Sequence, residues 1–458
     1  MSNYVTTNPA TGKTEREFEA LADSEISTLI DRTAAAFAKW RLVAPTERAA
    51  ALRRAADLYE KRADELAEVI TTEMGKPIKE SRGEVQLAAD IYRWYADHGP
   101  ALLETETLDP QGAEESIVQR RPIGPLIGVM PWNYPYYQVA RFAAPNLLAG
   151  NTIILKHAAI CGASSALMAE ILHDAGVPDD AYINAYASND QIATLLEDPT
   201  IQGVSLTGSE RAGAAVAEVA SRNLKKSVLE LGGSDPFILL DSGDMARTAK
   251  IAASARLSNT GQACNSPKRF IVLEHLYDDF VAQLVAEFEK ATVGDPSDPA
   301  VKVGPLSSVK ARDDVLEQIQ TAVKQGARLR TGGNTIGSEG AYLQPTVLTD
   351  ITPEMDAYSE EIFGPVGMVY KVANTDEAVT LANDVGFGLS GSVWSDDTSA
   401  AAEVADRLEV GMAYINEHGT TMPGLPFGGV KRSGYGRELG RWGLGEFINT
   451  RLRRTSAK

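Results

Sequence analysis

Residues 125–240 switch repeatedly between short apolar runs and amphipathic stretches, and this alternation limits the folds open to the chain more than any other feature. The apolar runs are PLIGVM, NTIILK, AYINAYA, GVSLTGS and SVLELGG, and the helical stretches between them include VARFAAPNLLAG, SALMAEILHDAG and AGAAVAEVA. Strands alternating with helices of about 10–15 residues predict βαβ units and a parallel sheet covered on both faces. A second series runs from FILL to GMAYIN. We therefore expect an α/β fold with two lobes.

The segments around these lobes have other periodicities. Residues 24–104 carry helical spacing in three blocks, 26–37, 46–74 and 77–103, with Gly75 as the C-terminal glycine of the second block. SIVQRRPIG at 116–124 alternates weakly like an exposed strand, and FINTRLRRTS alternates again near the end of the sequence. We expect these two strands to pair, within one chain or between two chains.

Charge and composition exclude several classes of function. The sequence has 62 Asp and Glu against 44 Lys and Arg, a net charge of −18, which argues against non-specific binding to nucleic acid or to an anionic membrane. No window approaches the roughly 20 apolar residues of a membrane span. Cys161 and Cys264 are too few for a disulfide scaffold or zinc site, and five scattered histidines suggest no metal site. The opening MSNYVTTNPATGK lacks a signal-peptide pattern, so we expect a cytoplasmic protein.

Two glycine-containing loops invite comparison with dinucleotide-binding loops, and only one has a suitable context. GYGRELG at 434–440 has the wrong spacing and no clear strand before it, so we interpret it as a turn. SLTGSERAG at 205–213 follows an apolar run and opens an amphipathic helix. The amides of Gly208 and Ser209 would then lie at a helix N-terminus, which favours a pyrophosphate. Taken alone, this loop is equally well explained as a structural turn.

Three residues together suggest acyl chemistry on sulfur. Cys264 lies in NTGQACNSPKR, a polar, glycine-containing loop, although a lone cysteine is more often a small buried apolar residue. Asn133 lies beside prolines in PWNYP, and Glu230 ends an apolar strand in LELGG. Burial raises the pKa of a glutamate, which suits a general base near neutral pH. The three residues supply a nucleophile, an amide donor for an oxyanion and a carboxylate that can activate water.

In this order the motifs resemble the aldehyde dehydrogenase family along nearly the whole chain. The matching motifs are NPATG, PWNYP, LTGSERAG, LELGGSDPF, NTGQACNSPKR, EEIFGPV and PFGGVKRSGYGRELG. Within the family, MPWNYPYYQVARFAAP, LKHA and LELGGSDPF are most similar to the succinate-semialdehyde dehydrogenases. The resemblance implies a Rossmann-like cofactor domain (1–112 and 125–231), an α/β catalytic domain (232–445) and small oligomerisation strands (113–124 and 446–458), in a homodimer or homotetramer.

The resemblance also implies roles for individual residues. Cys264 would be the nucleophile, Asn133 and the Cys264 backbone N–H the oxyanion hole, and Glu230 the general base. The implied reaction is oxidation of a short aldehyde, in the first place succinate semialdehyde, through a thiohemiacetal and a thioester, with NADP or NAD as cofactor and no metal. The residues implied on the cofactor side are Trp132, Lys156, Gly208, Ser209, Glu361 and Phe363. Those implied for the distal carboxylate of the substrate are Arg141, Thr420 and Thr421.

Two positions depart from the pattern of the family. Members that prefer NAD usually carry a glutamate three residues after the lysine, where this chain has Ala159. A carboxylate there would repel the 2′-phosphate of NADP, so we expect NADP rather than NAD. Many semialdehyde enzymes carry an arginine six residues before the nucleophile, where this chain has Ser258. We therefore expect one strong charged contact to the substrate, from Arg141.

Alternatives to this interpretation remain. An aldehyde dehydrogenase for another short or medium-chain aldehyde would carry the same motifs. A thiol hydrolase of Cys-His type would need a histidine partner, yet the nearest one in sequence, His275, lies beyond a predicted strand. A reductase of acyl phosphates or acyl-CoA would not need Glu230 as a base. A catalytically inactive relative should have lost Cys264, Glu230 or Asn133, and all three are present.

Overall fold

Two mainly parallel β-sheets with helices on both faces form most of the molecule, described here for residues 4–456 from a computed structural model. The helices are α1 (Ile26–Trp40), α2 (Pro45–Lys61), α3 (Ala63–Met74), α4 (Ile78–Leu102), α5 (Pro135–Ala149), α6 (Gly162–Asp174), α7 (Asn189–Glu197), α8 (Glu210–Arg222), α9 (Met245–Leu257), α10 (Glu274–Glu289), α11 (Val309–Gln325), α12 (Asp356–Ser359), α13 (Thr375–Asn383), α14 (Thr398–Ala405) and α15 (Gly440–Glu446). The strands are β1 (Tyr4–Thr7), β2 (Thr14–Phe18), β3 (Glu106–Thr107), β4 (Ala113–Pro122), β5 (Pro125–Met130), β6 (Thr152–His157), β7 (Tyr182–Asn184), β8 (Gly203–Thr207), β9 (Lys226–Glu230), β10 (Pro236–Leu239), β11 (Arg269–Leu273), β12 (Arg328–Thr331), β13 (Thr346–Thr349), β14 (Val366–Val372), β15 (Phe387–Gly388), β16 (Ser390–Trp394), β17 (Met412–Ile415), β18 (Val430–Lys431), β19 (Gly434–Tyr435) and β20 (Ile448–Ser456).

The first sheet is built from the apolar runs at 125–230, in the order β19-β9-β8-β5-β6-β7. Strands β5 to β9 pair in parallel, and only the short β19 pairs antiparallel, at the edge beside β9. Both faces are covered by helices, which explains why these strands read as continuous apolar runs. The predicted α/β fold is confirmed.

The second sheet has the order β12-β13-β14-β11-β10-β16-β17, with β12 antiparallel and the other strands parallel. One core on each face holds it against its helices. The carboxyl ends of β8 and β9 lie beside the loop before β11. This neighbourhood matters because ligands of α/β proteins bind at the carboxyl ends of parallel strands.

A third, antiparallel sheet has the order β20-β4-β3. Strand β20 pairs with β4 from Ile448 opposite Pro122 to Ser456 opposite Ala113. The two strands predicted to pair therefore do so, and within one chain.

The helical region differs from the prediction at one point. The second predicted block is two helices, because Arg62 leaves helical geometry (φ −104°, ψ 19°) between α2 and α3. Its guanidinium bonds Glu65 and Glu170 at 2.8 Å, contacts that helical periodicity does not encode. Gly75 ends α3 as predicted, with φ +79°. None of the helices in residues 4–456 is both long and apolar enough to cross a lipid bilayer.

Candidate active site

A cavity of about 280 Å³ lies between the two parallel sheets. Its lining comprises Pro131, Trp132, Asn133, Gln138, Thr207, Gly208, Ser209, Glu230, Leu231, Gly232, Cys264, Glu361 and Phe363. Eight of the twelve residues that the sequence implied for catalysis, cofactor or substrate line it, namely Asn133, Glu230, Cys264, Trp132, Gly208, Ser209, Glu361 and Phe363. Lys156, Arg141, Thr420 and Thr421 lie outside the lining.

The loop that carries Cys264 has an unusual backbone. Asn259, Thr260 and Gly261 are successive left-handed residues, with φ of 50°, 56° and 74°. Two of them are not glycine, and such conformations persist only where surrounding contacts hold them. The Asn259 side chain donates to the Asn133 carbonyl at 2.8 Å and to the Gln262 carbonyl at 3.1 Å. The nucleophile loop is thereby tied to the segment that supplies the amide.

Asn133 is oriented by two contacts. Its Nδ2 donates to the Gln262 carbonyl at 3.0 Å, and its Oδ1 accepts from Gln138 Nε2 at 3.0 Å. An amide nitrogen has two hydrogens, so one N–H of Asn133 is left for an oxyanion beside Cys264. The sequence analysis did not identify Gln138 as a site residue. Its position in the sequence, five residues after Asn133 and inside α5, could have indicated it.

Glu230 is buried at the end of β9, opposite Thr207 of β8 and Gly434 of β19. A Cβ at Gly428 would lie 2.6 Å from the Glu230 carboxylate, so this glycine makes room for it. Neither carboxylate oxygen has a hydrogen-bond partner among residues 4–456. Burial raises the pKa of Glu230 well above its usual value, as suits a group that must take a proton from water.

The thiol of Cys264 lies in the same low-dielectric environment. Burial raises its pKa to about 12, and the nearby cations of Arg141 and Lys268 partly oppose that rise. The thiol form therefore predominates at neutral pH, and ionisation has to be assisted when the nucleophile attacks.

The cofactor side of the cavity has a helix N-terminus and two aromatic side chains. Helix α8 starts at the cavity wall with Ser209 as its N-cap, and the first N–H groups of a helix have no partner within it. The Gly208 N–H, however, donates to the Glu230 carbonyl at 2.9 Å, so this amide is engaged inside the protein. The Trp132 and Phe363 rings meet edge to face at 5.9 Å. These features suit a dinucleotide.

Glu361 lies on the same side, where its Oε1 accepts from the Gly233 N–H at 3.2 Å. A Cβ at Gly232 would collide with this carboxylate, so the Gly-Gly turn after β9 is what lets Glu361 approach. Lys156 lies on β6, outside the cavity lining, and burial lowers its pKa. Ala159, in the loop after β6, accepts a backbone hydrogen bond from Val5 at 3.2 Å.

Arg141 is more deeply buried than its sequence context predicted. Its apolar neighbours in sequence favour a partly buried guanidinium with an anionic partner, and the structure buries it fully: the side chain is 1% exposed and forms an ion pair with Glu438. It also donates to the Tyr137 hydroxyl at 3.0 Å and to the Thr207 hydroxyl at 3.2 Å. Burial is the largest single influence and lowers the pKa of Arg141, but the acidic groups around it, Glu438 first among them, together outweigh burial, and the pKa is raised. The sequence did not identify this anion because Glu438 lies 297 residues along the chain, in a segment interpreted as a turn.

The two threonines implied for the substrate lie near this cluster. The Thr421 side chain lies near the Tyr137 phenol, which accepts from Arg141 at 3.0 Å. The Thr420 hydroxyl donates to Glu417 at 2.5 Å. Cys161 is buried with its thiol facing the Trp132 carbonyl at 3.9 Å. No histidine is among the residues that line the cavity, so the described part of the chain offers Cys264 no imidazole partner there.

Comparison with known proteins agrees with this geometry. Residues 2–452 match the model of the aldehyde dehydrogenase family. A succinate-semialdehyde dehydrogenase (NADP⁺) of Deinococcus radiodurans is 52% identical over 98% of this chain and 94% of that protein, and one of Mycobacterium ulcerans is 42% identical over 97% and 98%. A crystal structure of succinic semialdehyde dehydrogenase from Streptococcus pyogenes with NADP⁺ superposes with a TM-score of 0.97 at 41% identity, covering 99% of this chain and 100% of that one. This chain therefore belongs to the aldehyde dehydrogenase family.

Proposed function

We propose that the protein oxidises succinate semialdehyde to succinate with NADP⁺. The observation that carries the proposal is that Cys264, Asn133 and Glu230 line one cavity with the N-terminus of α8. The relatives named for this reaction with NADP⁺ cover nearly the whole chain, which supports the same substrate and cofactor.

The roles of the residues follow from their positions. Cys264 attacks the aldehyde carbon, and the resulting oxyanion accepts from the free N–H of Asn133 and from the Cys264 backbone N–H, contacts worth about 3–4 kcal/mol at the barrier. Bound NADP⁺ supplies the acceptor for the hydride of the aldehyde carbon. The acyl group is then a thioester on Cys264, and Glu230 takes a proton from the water that hydrolyses it.

The cofactor is assigned to the wall formed by Trp132, Ser209, Glu361 and Phe363, with Gly208 shaping the turn and Lys156 reaching from β6. Glu361 presents a carboxylate that can accept from ribose hydroxyls. The loop after β6 has Ala159 where a glutamate would repel a 2′-phosphate, which supports NADP⁺ over NAD⁺.

The substrate carboxylate is assigned to Arg141, with Thr421 and Thr420 beside it. Arg141 bonds Thr207, a residue of the cavity wall, and lies close enough to Cys264 to affect the pKa of the thiol. An incoming carboxylate would share the guanidinium with Glu438. A guanidinium suits this role because it offers five N–H donors.

The third sheet is assigned to assembly into a homo-oligomer. Strand β20 lies at its edge, and unpaired strand edges favour pairing with another chain. Light scattering after size exclusion tests this point, and a monomer at micromolar concentration would contradict it.

A steady-state panel tests the main proposal. Succinate semialdehyde, butanal and a longer aldehyde are each assayed with NADP⁺ and with NAD⁺. We expect the highest kcat/KM for succinate semialdehyde with NADP⁺. Product formation without any nicotinamide would instead indicate a thiol hydrolase, and a higher kcat/KM for butanal would indicate a different aldehyde.

A further inference from the structure

Lys268, four residues after the nucleophile, carries a fully buried ammonium group beside the cavity. Its Nζ donates to the carbonyls of Cys264 at 2.7 Å, Ala263 at 3.0 Å and Ser266 at 3.3 Å. It also pairs with Glu361 Oε1 at 3.2 Å. An ammonium has only three hydrogens, so the carboxylate and the loop carbonyls share the same donors.

The turn after β9 makes this close approach sterically feasible. A Cβ at Gly233 would lie 2.9 Å from the Cys264 carbonyl, and one at Gly232 would collide with Glu361. The Gly233 N–H also donates to the Glu361 carboxylate at 3.2 Å. Because Gly232 and Gly233 have no side chains, both the Cys264 carbonyl and the Glu361 carboxylate can approach this segment closely.

A second buried cation anchors the same two loops and differs from Lys268 in one respect. Arg256 donates to the Gly261 carbonyl at 3.2 Å on the nucleophile loop, and to Ile362 at 2.9 Å and Val366 at 2.7 Å beyond Glu361. It also donates to the Ser266 hydroxyl at 3.0 Å. None of these partners is ionisable, so Arg256 holds the loops together without hydrogen-bonding an ionisable group. Lys268 alone of the two joins the nucleophile loop to a carboxylate.

We propose that Lys268 is a positioning residue that holds the Cys264 backbone and orients the Glu361 carboxylate at the same time. Through this shared ammonium, the negative charge of Glu361 affects how readily the Cys264 thiol ionises. The inference rests on the proposed function, which makes Cys264 the nucleophile and assigns Glu361 to the cofactor. The Lys268 ammonium is the group through which Cys264 and Glu361 would affect each other.

Lys268 and Glu361 have opposite effects on the ionisation of the Cys264 thiol. The charged groups near Cys264 include Arg141, Lys268, Asp235 and Glu361, and Glu230 lines the same cavity. The phenols of Tyr134, Tyr137 and Tyr414 also lie near it. Burial is the largest influence and raises the pKa of the thiol, Lys268 lowers it, and Glu361 raises it. Removing the ammonium should therefore suppress the thiolate, and neutralising the carboxylate should favour it.

Alkylation of Cys264 by iodoacetamide, followed by mass spectrometry between pH 6 and 9.5 in the absence of cofactor, tests these signs. The variants are Lys268→Met, which keeps an unbranched apolar stem, Glu361→Gln, and the double variant that combines them. The matched control is Lys310→Met, because Lys310 is exposed and pairs with Asp314, one turn away on α11. Cys161 is fully buried and its pKa is raised well above the usual value, so it does not compete.

We expect Lys268→Met to slow alkylation about 10-fold at each pH, equivalent to about one pKa unit. Glu361→Gln should accelerate alkylation, by less in the Lys268→Met background than in the wild type, and Lys310→Met should change nothing. Rates for Lys268→Met equal to wild type, or the same direction of change in Lys268→Met and Glu361→Gln, would overturn the proposal. If circular dichroism shows Lys268→Met unfolded, Glu361→Gln decides alone, and an unchanged or slower rate refutes the link.

A cofactor-binding measurement tests whether Lys268 orients Glu361. We expect Lys268→Met to weaken NADP⁺ binding in a fluorescence titration about 5- to 10-fold, since Glu361 loses the group that orients it. Unchanged affinity would show that Lys268 does not orient Glu361. Alkylation uses neither aldehyde nor cofactor. If the wild-type protein were inactive on aldehydes, the proposed function would be refuted, but the alkylation rates would still show whether Lys268 affects Cys264.

Discussion

The guanidinium of Arg141 and the carboxylate of Glu438 form an ion pair whose side chains are only 1% and 5% exposed. The other oxygen of Glu438 accepts from the Ser205 hydroxyl at 3.1 Å. Burial raises the pKa of Glu438, and Arg141 opposes that rise. The pair lies beside Glu230, whose pKa it also influences, so the charge balance of this cluster affects both the fold and the general base.

Removal of one partner should destabilise the fold. In Arg141→Met the Glu438 carboxylate loses its cation, and we expect the free energy of unfolding to fall by about 3–5 kcal/mol. The double variant Arg141→Met/Glu438→Gln should recover most of this loss. Urea unfolding monitored by circular dichroism measures both. Equal losses in the two variants would assign the effect to the packing of Arg141 against the Phe427 ring, 4.3 Å away.

The same double variant tests the substrate assignment with less risk of misfolding. We expect its kcat/KM for succinate semialdehyde to fall about 10- to 150-fold relative to wild type, the equivalent of a charge-assisted contact of about 1.5–3 kcal/mol. Butanal lacks the carboxylate and should be affected little. Glu438→Gln alone is the control, since it keeps the guanidinium. Equal losses on both aldehydes would show that Arg141 supports the site rather than selects the acid.

Glu230→Gln should separate acylation from deacylation. We expect a burst of reduced cofactor followed by a stall, because Cys264 can still attack but the thioester is hydrolysed slowly. Cys264→Ala should give no burst. Rapid-mixing absorbance at 340 nm records both variants. Steady-state turnover of Glu230→Gln at the wild-type rate would remove Glu230 as the base.

The raised pKa of Glu230 also predicts two effects of pH. Deacylation should accelerate as the pH rises through the folded-state pKa, since only the carboxylate accepts a proton. A carboxyl group with a raised folded-state pKa contributes stability below its unfolded-state pKa and loses it as the pH rises. In urea unfolding, Glu230→Gln should therefore gain stability relative to wild type as the pH rises above the unfolded-state pKa of the carboxyl group. A constant difference would mean that the folded-state pKa is not raised.

Position 159 should influence the choice of cofactor. In Ala159→Glu a carboxylate would repel the 2′-phosphate of NADP⁺ and could bond a ribose hydroxyl of NAD⁺. We expect kcat/KM with NADP⁺ to fall and the NADP⁺ to NAD⁺ ratio to drop about 10-fold or more, with the NAD⁺ values as the internal control. An unchanged ratio would place cofactor discrimination elsewhere.

The sequence predicted the α/β fold and both βαβ series because parallel strands covered on both faces have to be apolar throughout, and such runs are visible locally. It also predicted that Cys264, Asn133 and Glu230 act together, since each lies in a short motif at the end of an apolar strand or in a polar loop. Those motifs meet in one cavity, and the C-terminal strand pairs with the 113–122 strand as expected.

Only the tertiary structure decided which charges meet. Arg141 pairs with Glu438, which is distant in sequence. Lys268 bonds both the Cys264 carbonyl and the Glu361 carboxylate. The Gly208 N–H donates to the backbone carbonyl of Glu230. Helical or strand periodicity records how a residue relates to its near neighbours along the chain. A buried ion pair depends instead on where separate loops come together, and that is set by the packing of the two sheets.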